Sequence, residues 1–152
     1  PAWFLGRNPT KEIIISSYSA DLAVGFGGKT RDKVDSIQYK TIFPNVRLKQ
    51  DEKAKGRWST NKGGGYMAAG VGGAVTGRGA DVFLIDDPVK NSEEGESIVI
   101  REKIWEWFKS TAFTRLHPNG VMIIIMTRWH VDDLAGRIIA DPEFKDLTKV
   151  IK

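Results

Sequence analysis

Val82-Phe83-Leu84-Ile85 is an unbroken apolar run closed by two carboxylates, Asp86 and Asp87. Four consecutive apolar side chains suit a strand buried on both faces. An acid at its tip then emerges where open parallel sheets bind ligands, outside the carboxyl ends of their strands. This is the form of a Walker B element. In it Asp86 can hold Mg²⁺, directly or through water, while Asp87 can orient or deprotonate an attacking water. The same pattern also serves as a plain strand-to-turn junction, and Asp86-Asp87-Pro88 would end a strand abruptly in either use.

A second apolar run, Val121 to Met126, ends in Thr127-Arg128-Trp129-His130. Thr127 carries a hydroxyl able to donate to a phosphate or a water. In motors with an additional strand between their two Walker strands, a polar residue here senses the γ-phosphate; a helix N-cap or turn is the other use of such a threonine. Ala23-Val24-Gly25-Phe26-Gly27-Gly28-Lys29-Thr30 fits a loosened phosphate-loop pattern with Ala for the first Gly. A genuine phosphate loop leaves its strand almost at once, aiming amides and a helix N-terminus at the phosphates. Here several residues separate Ile13-Ile14-Ile15 from Ala23, and Ser19-Ala20-Asp21-Leu22 reads as a capped helix start. The stretch is therefore expected to be helix rather than loop.

Two other chemistries can be assembled from the same chain. A metal-dependent hydrolase or nuclease would use Asp86, Asp87, His130, Asp132 and Asp133, since carboxylates at neighbouring strand ends can hold divalent ions. Against it, Asp132 and Asp133 also suit a helix start, where they favour the dipole. A non-catalytic DNA-binding module would use Lys53, Lys55, Arg57 and Lys62 with Trp58 as a basic and aromatic surface.

The elements that must position these residues alternate in the manner of α/β folds. Strands are expected at 12–17, 81–85 and 121–126, and helices at 19–39, 96–116 and 131–140. Three strands with continuous apolar runs and helical crossovers predict a parallel sheet with helices on both faces. The exception is the segment of about 55–79, where eight of the sixteen glycines fall between Gly63 and Gly79. Arg57 to Ala68 reads there as an inserted β-hairpin.

The chain has 152 residues, 41% of them apolar, enough for one domain with one core. It has no cysteine, which excludes disulfides, thiolate zinc sites and a cysteine nucleophile. Its net charge of +4 mildly favours polyanions. The longest apolar run is too short to span a bilayer, so a soluble, cytoplasmic protein is expected.

Leu5-Gly6-Arg7-Asn8-Pro9, Ser17-Tyr18-Ser19-Ala20-Asp21-Leu22-Ala23, Gly77-Arg78-Gly79-Ala80-Asp81, Ile85-Asp86-Asp87-Pro88 and Thr127 to Arg137 together resemble the large terminase subunit of tailed bacteriophages and prophages. The likeness runs in order over nearly the whole chain. It implies a P-loop NTPase core of the additional-strand, RecA-like kind: an ATPase motor domain that pumps double-stranded viral DNA into a procapsid. The implied partners are the small terminase subunit, the portal protein and further copies in a ring, in the bacterial host cytoplasm. The implied cofactors are ATP and Mg²⁺. Matched position by position, Asp86 is the Mg²⁺ ligand, Asp87 the catalytic acid and Thr127 the coupling residue that also meets nucleotide. Many relatives carry Glu where Asp87 stands. Arg78 falls where some relatives place an arginine reaching into a neighbouring subunit's ATP site. In the family the phosphate loop precedes the Leu-Gly-Arg-Asn-Pro segment and a nuclease domain follows. Residues 1–152 are thus expected to be a partial ATPase domain, without the phosphate-loop strand and inactive alone.

Overall fold

Ile13-Ile14-Ile15 sits in strand β1 (Glu12–Ser17), whose last five residues are buried. The computed structural model describes residues 1–75 and 77–151, so Thr76, inside the glycine-rich segment, lies outside the described residues. A short helix α1 (Ala2–Arg7) precedes β1, and α2 (Ala20–Asp35) follows it. Then come α3 (Ile37–Ile42), β2 (Leu48–Ala54), β3 (Arg57–Thr60), β4 (Gly65–Gly70) and β5 (Ala80–Asp86). The chain continues through α4 (Ser92–Glu96), α5 (Ile98–Trp107), β6 (Leu116–Ile125) and α6 (Leu134–Ala140).

The six strands form one sheet in the order β2-β3-β4-β1-β5-β6. β4, β1, β5 and β6 run parallel, whereas β2, β3 and β4 pair antiparallel. The sheet is therefore mixed, and the expected hairpin is not an insertion standing apart from it. β3 and β4 do form a hairpin, but β4 is hydrogen-bonded along its length to β1. β2 has no counterpart in the sequence reading because Leu48-Lys49-Gln50-Asp51-Glu52-Lys53-Ala54 is polar, as suits an edge strand open to water.

Alternation along the strands divides the core in two. Ile14, Phe83 and Ile85 face a cluster containing Ile104 and Trp107 of α5 and Leu134 and Ile138 of α6. Ile13 and Ile15 face the other side, with Leu5 of α1, Val34 of α2, Tyr39 of α3, Trp58 and Tyr66. Helices cover both faces, as expected.

The expected helix 19–39 is broken by a serine cap, whereas 96–116 starts at one and runs on through α5, a π turn (Phe108–Ala112) and a 3-10 turn (Phe113–Arg115). Ser36 ends α2 by donating to the Lys33 carbonyl at 2.7 Å and starts α3 by accepting from the Tyr39 amide at 3.2 Å. Ser97 likewise accepts from the Ile100 amide at the start of α5. A single serine that both satisfies a carbonyl and caps the next turn bends the chain without disturbing the apolar stripe that suggested one helix.

α2 contains the whole of Ala23 to Thr30. Its glycines serve close packing. A methyl on Gly27 would collide with the Lys55 carbonyl and the Tyr66 ring. The Trp58 indole donates to the Gly27 carbonyl at 3.2 Å, and the Tyr66 hydroxyl to that of Ala23 at 3.2 Å. Trp58 and Tyr66 are fully buried and stacked, with ring centroids 5.3 Å apart.

β6 is an edge strand. Met122, Ile124 and Met126 pack on the α5/α6 side, while Val121, Ile123 and Ile125 on the other face are exposed. The C-terminal segment does not cover it: Leu147, Val150 and Ile151 are exposed as well.

Candidate functional site

The carboxyl ends of the four parallel strands bring together Ser17, Gly70, Asp86 and Ile125. Asp86 and Asp87 stand at the tip of β5, as their position after an apolar run requires, and Thr127 lies two residues beyond β6. Asp87 ties these strands together. Its amide donates to the Ile125 carbonyl at 2.8 Å, and its own carbonyl accepts from the Tyr18 amide at 3.0 Å. Its carboxylate Oδ1 accepts from the Thr127 amide at 3.1 Å. The backbone there is left-handed, with φ 42°, a conformation uncommon outside glycine and tolerated best by Asp and Asn. Such local strain persists only where surrounding contacts over-determine it.

Asp86 differs. Half-buried, its carboxylate has no hydrogen-bond or ion-pair partner among the described residues. Burial, and then the adjacent Asp87 charge, push its pKa above the ordinary carboxylate range. Ser17, its register partner on β1, is fully buried, and its hydroxyl has no hydrogen-bond partner among the described residues. An unpaired carboxylate beside an orphaned hydroxyl has donors fit for Mg²⁺. That ion commonly keeps several waters and takes only one or two protein carboxylates besides substrate phosphates. Sequence reasoning gave Ser17 no role. The signal lay in two serines, Ser16 and Ser17, closing a strand otherwise made of isoleucine.

The hydrolase set does not converge. Among the described residues no three His, Asp or Glu side chains form a group able to hold a metal ion. Asp133 is buried, caps α6 by accepting from the Gly136 amide at 2.9 Å, and accepts from Arg128 Nε at 2.6 Å. Asp132 accepts from Arg137 Nη2 at 2.7 Å and Arg101 Nε at 3.4 Å; the Arg137 bond is the chief cause holding its carboxyl below the ordinary range. His130 Nδ1 accepts from the Asp132 amide at 2.9 Å. The hollow between α5 and α6, lined by Glu102, Trp105, Asp132 and Arg137, contains neither Asp86 nor Thr127. The block from Thr127 to Arg137 thus clamps α6 to α5.

The basic and aromatic surface loses its aromatic part, since Trp58 is in the core. Stacking on a nucleic-acid base needs an exposed ring.

Arg78 stands at the opposite, amino end of the sheet. Its Nη1 donates to Glu12 Oε2 at 2.8 Å and Oε1 at 3.1 Å, and its Nη2 to Ser59 Oγ at 3.2 Å. Glu52 lies 3.5 Å from the guanidinium. Gly65 makes room, since a Cβ there would press on Arg78 Nη1. The structure does not bring Arg78 to Asp86.

A family model described as the terminase large subunit, T4likevirus-type, N-terminal, matches residues 1–152. The chain belongs to this terminase family. Among solved structures, the chain is similar to the large terminase of bacteriophage HK97, with 17% identity and a TM-score of 0.51. The match covers 90% of this chain and 26% of the HK97 terminase chain, so residues 1–152 span about a quarter of that protein. At this identity the likeness is one of fold. None of the curated proteins compared matches this terminase chain. No helix of the described residues is long and apolar enough to cross a membrane.

Proposed function

We propose that residues 1–152 form part of the ATPase motor domain of a phage DNA-packaging terminase. The observation that carries the reading is the trio of Asp86, Asp87 and Thr127 at the carboxyl ends of adjacent parallel strands, in a chain of the terminase large-subunit family. Asp86 would hold Mg²⁺, which when bound neutralises charge on the β and γ phosphates of ATP. Asp87 has one carboxylate oxygen on the Thr127 amide and the other available to orient the attacking water. A change in charge at Asp87 would therefore act directly on the turn after β6. This supports Thr127 as the residue that couples hydrolysis to movement of DNA.

The phosphate-binding amides are not supplied by Ala23 to Thr30, which lie within α2. In this reading they come from a part of the protein outside residues 1–152, as does a nuclease domain. Double-stranded viral DNA, the small terminase subunit, the portal protein and further copies in a ring are the proposed partners, met at the procapsid in the host cytoplasm. Arg78 fits a role in a neighbouring subunit least well, because it would first have to leave Glu12.

The test uses the full-length large subunit. Asp86→Asn and Asp87→Asn should each lower DNA-stimulated ATP turnover by about 100-fold or more. Thr127→Ala should impair packaging more than nucleotide binding. Lys29→Ala, on an exposed face of α2, should leave turnover intact. Loss of turnover in Lys29→Ala, with Asp86→Asn unaffected, would overturn the assignment.

A further inference from the structure

Ser16 and Ser17 are both fully buried, and the hydroxyl of each lacks a hydrogen-bond partner among the described residues. A buried hydroxyl left unpaired costs stability. Neighbours on a strand point to opposite faces, so the two serines meet different surroundings. Ser16 follows Ile14 toward the apolar cluster under α5 and α6. Ser17 follows Ile13 and Ile15 to the other face, where Asp86 on β5 and Ile125 on β6 are its successive register neighbours. Adjacent strands stand about 4.8 Å apart, so Ser17 and Asp86 side chains project side by side from the same row. Ile125 in that row is exposed, which leaves the Asp86 side of the row open to solvent.

The position of Ser17 is fixed. Its carbonyl accepts from the Val71 amide at 2.8 Å, and the next residue, Tyr18, donates to the Asp87 carbonyl. The backbone on both sides of the hydroxyl is thus committed to neighbouring strands, while the hydroxyl itself is not.

We propose that the Ser17 hydroxyl is a positioning group for the divalent cation of this site, hydrogen-bonding a water of the hydration shell of a cation held by Asp86. The inference rests on the reading of Asp86 as the cation ligand and adds a residue to it. A hydroxyl can accept from or donate to such a water, and Mg²⁺ retains several of them. Outer-shell partners of this kind typically change metal affinity by about 10–100-fold when removed. Ser16, equally buried and equally unpaired, faces away and has no such role.

The experiment is an Mn²⁺ titration of the full-length large subunit with a non-hydrolysable ATP analogue bound, followed by paramagnetic broadening of its backbone amide signals. In the unaltered chain the amides of residues 17–18, 86–87 and 127 should broaden first, and Asp86→Asn should abolish this. Ser17→Ala should move the midpoint to roughly tenfold higher Mn²⁺. Its melting temperature should be unchanged or raised, since an unsatisfied hydroxyl has been removed. Ser16→Ala should leave the midpoint where it was. If Asp86→Asn abolishes broadening but Ser17→Ala titrates like the unaltered chain, the role of Ser17 is overturned and the Asp86 reading stands. An equal shift in Ser16→Ala, or a lowered melting temperature in Ser17→Ala, would make the effect one of packing and also overturn it. If the unaltered chain shows no broadening near Asp86, both fall.

Discussion

The two ends of the parallel strands use similar residues to opposite effect. At the amino end Lys11 meets Asp81 at 2.7 Å, Arg78 meets Glu12 at 2.8 Å, and the Glu12 amide donates to Asp81 at 2.8 Å. Glu52 joins them through Ser59, whose hydroxyl is the chief cause holding its pKa down to about 2. At the carboxyl end Asp86 and Ser17 are unpaired among the described residues and Asp87 is held in a left-handed conformation. A network whose charges satisfy one another holds elements together, and carboxylates left unsatisfied are what a ligand can complete. In this chain pairing therefore separates the structural network from the proposed site better than residue type does.

Breaking the amino-end network should give the largest effect on stability. Arg78→Ala leaves Glu12 without its partner in a site only 20% exposed, and should lower unfolding free energy by about 1.5–3 kcal/mol in chemical denaturation. Loss of less than about half a kcal/mol would place this pair with surface ion pairs and blur the contrast.

The pH dependence of two aspartates should have opposite signs. Burial pushes Asp81 upward, but the Lys11 ammonium and Glu12 amide outweigh it and hold its carboxyl below the ordinary range. Such a group contributes stability above its ordinary pKa of 3.8, lost as pH falls through the lowered value. Asp81→Asn should therefore be less stable than the unaltered chain at neutral pH and converge with it in acid. Asp86, raised by burial and by Asp87, makes the fold less stable as pH climbs from 3.8 through its folded-state value. Asp86→Asn should be the more stable protein at neutral pH, with the gain gone below that window. Thermal melts of both variants between pH 3 and 7 check this, and a loss of stability in Asp86→Asn at pH 7 would contradict the unpaired site.

The smallest effect compares the two left-handed non-glycine residues among those described, Asp87 at the carboxyl end and Asn119 at the amino end. Asn119→Gly should change stability by no more than about 0.5 kcal/mol and leave turnover of the full-length protein alone. Asp87→Gly relieves the same conformation yet removes the carboxylate bond to Thr127, so turnover should be lost whatever happens to stability. Equal activity in the two variants would erase the distinction between the ends.

Much of the carboxyl end was legible in the sequence, because the signal there is local. An apolar strand ending in acids can be read from a few neighbouring residues, and β1 and β5 follow. The amino end was not legible, since Glu12 and Arg78 meet only through the fold. Ser17 was hidden by its smallness: serine closes many strands, and only burial without a partner marks this one. Ala23 to Thr30 was rightly expected to be helix from its distance after β1, but its glycines taken alone left that open, because phosphate loops and close helix packing ask for the same residue. What decides between them is Gly27 against Lys55 and Tyr66, a contact between distant segments.

The strand order carries a consequence for how the chain is made. Within residues 1–152 β1 is the first strand to leave the ribosome, yet its partners lie far downstream: Glu12 pairs with Gly65 and Ser17 with Asp86. At roughly 5–20 residues per second, Ile13-Ile14-Ile15 stays unpaired for seconds of synthesis. The β3–β4 hairpin, by contrast, can close within about 10 μs of emerging. The hairpin is therefore the natural seed of the sheet, with β1 docking onto a preformed β4 edge and β5 and β6 added afterwards. In pulse-labelled refolding the amides shared by β3 and β4 should gain protection before those shared by β1 and β5. A nascent chain halted before Gly65 would present a bare isoleucine strand, an aggregation-prone apolar segment of the kind that makes chaperones necessary.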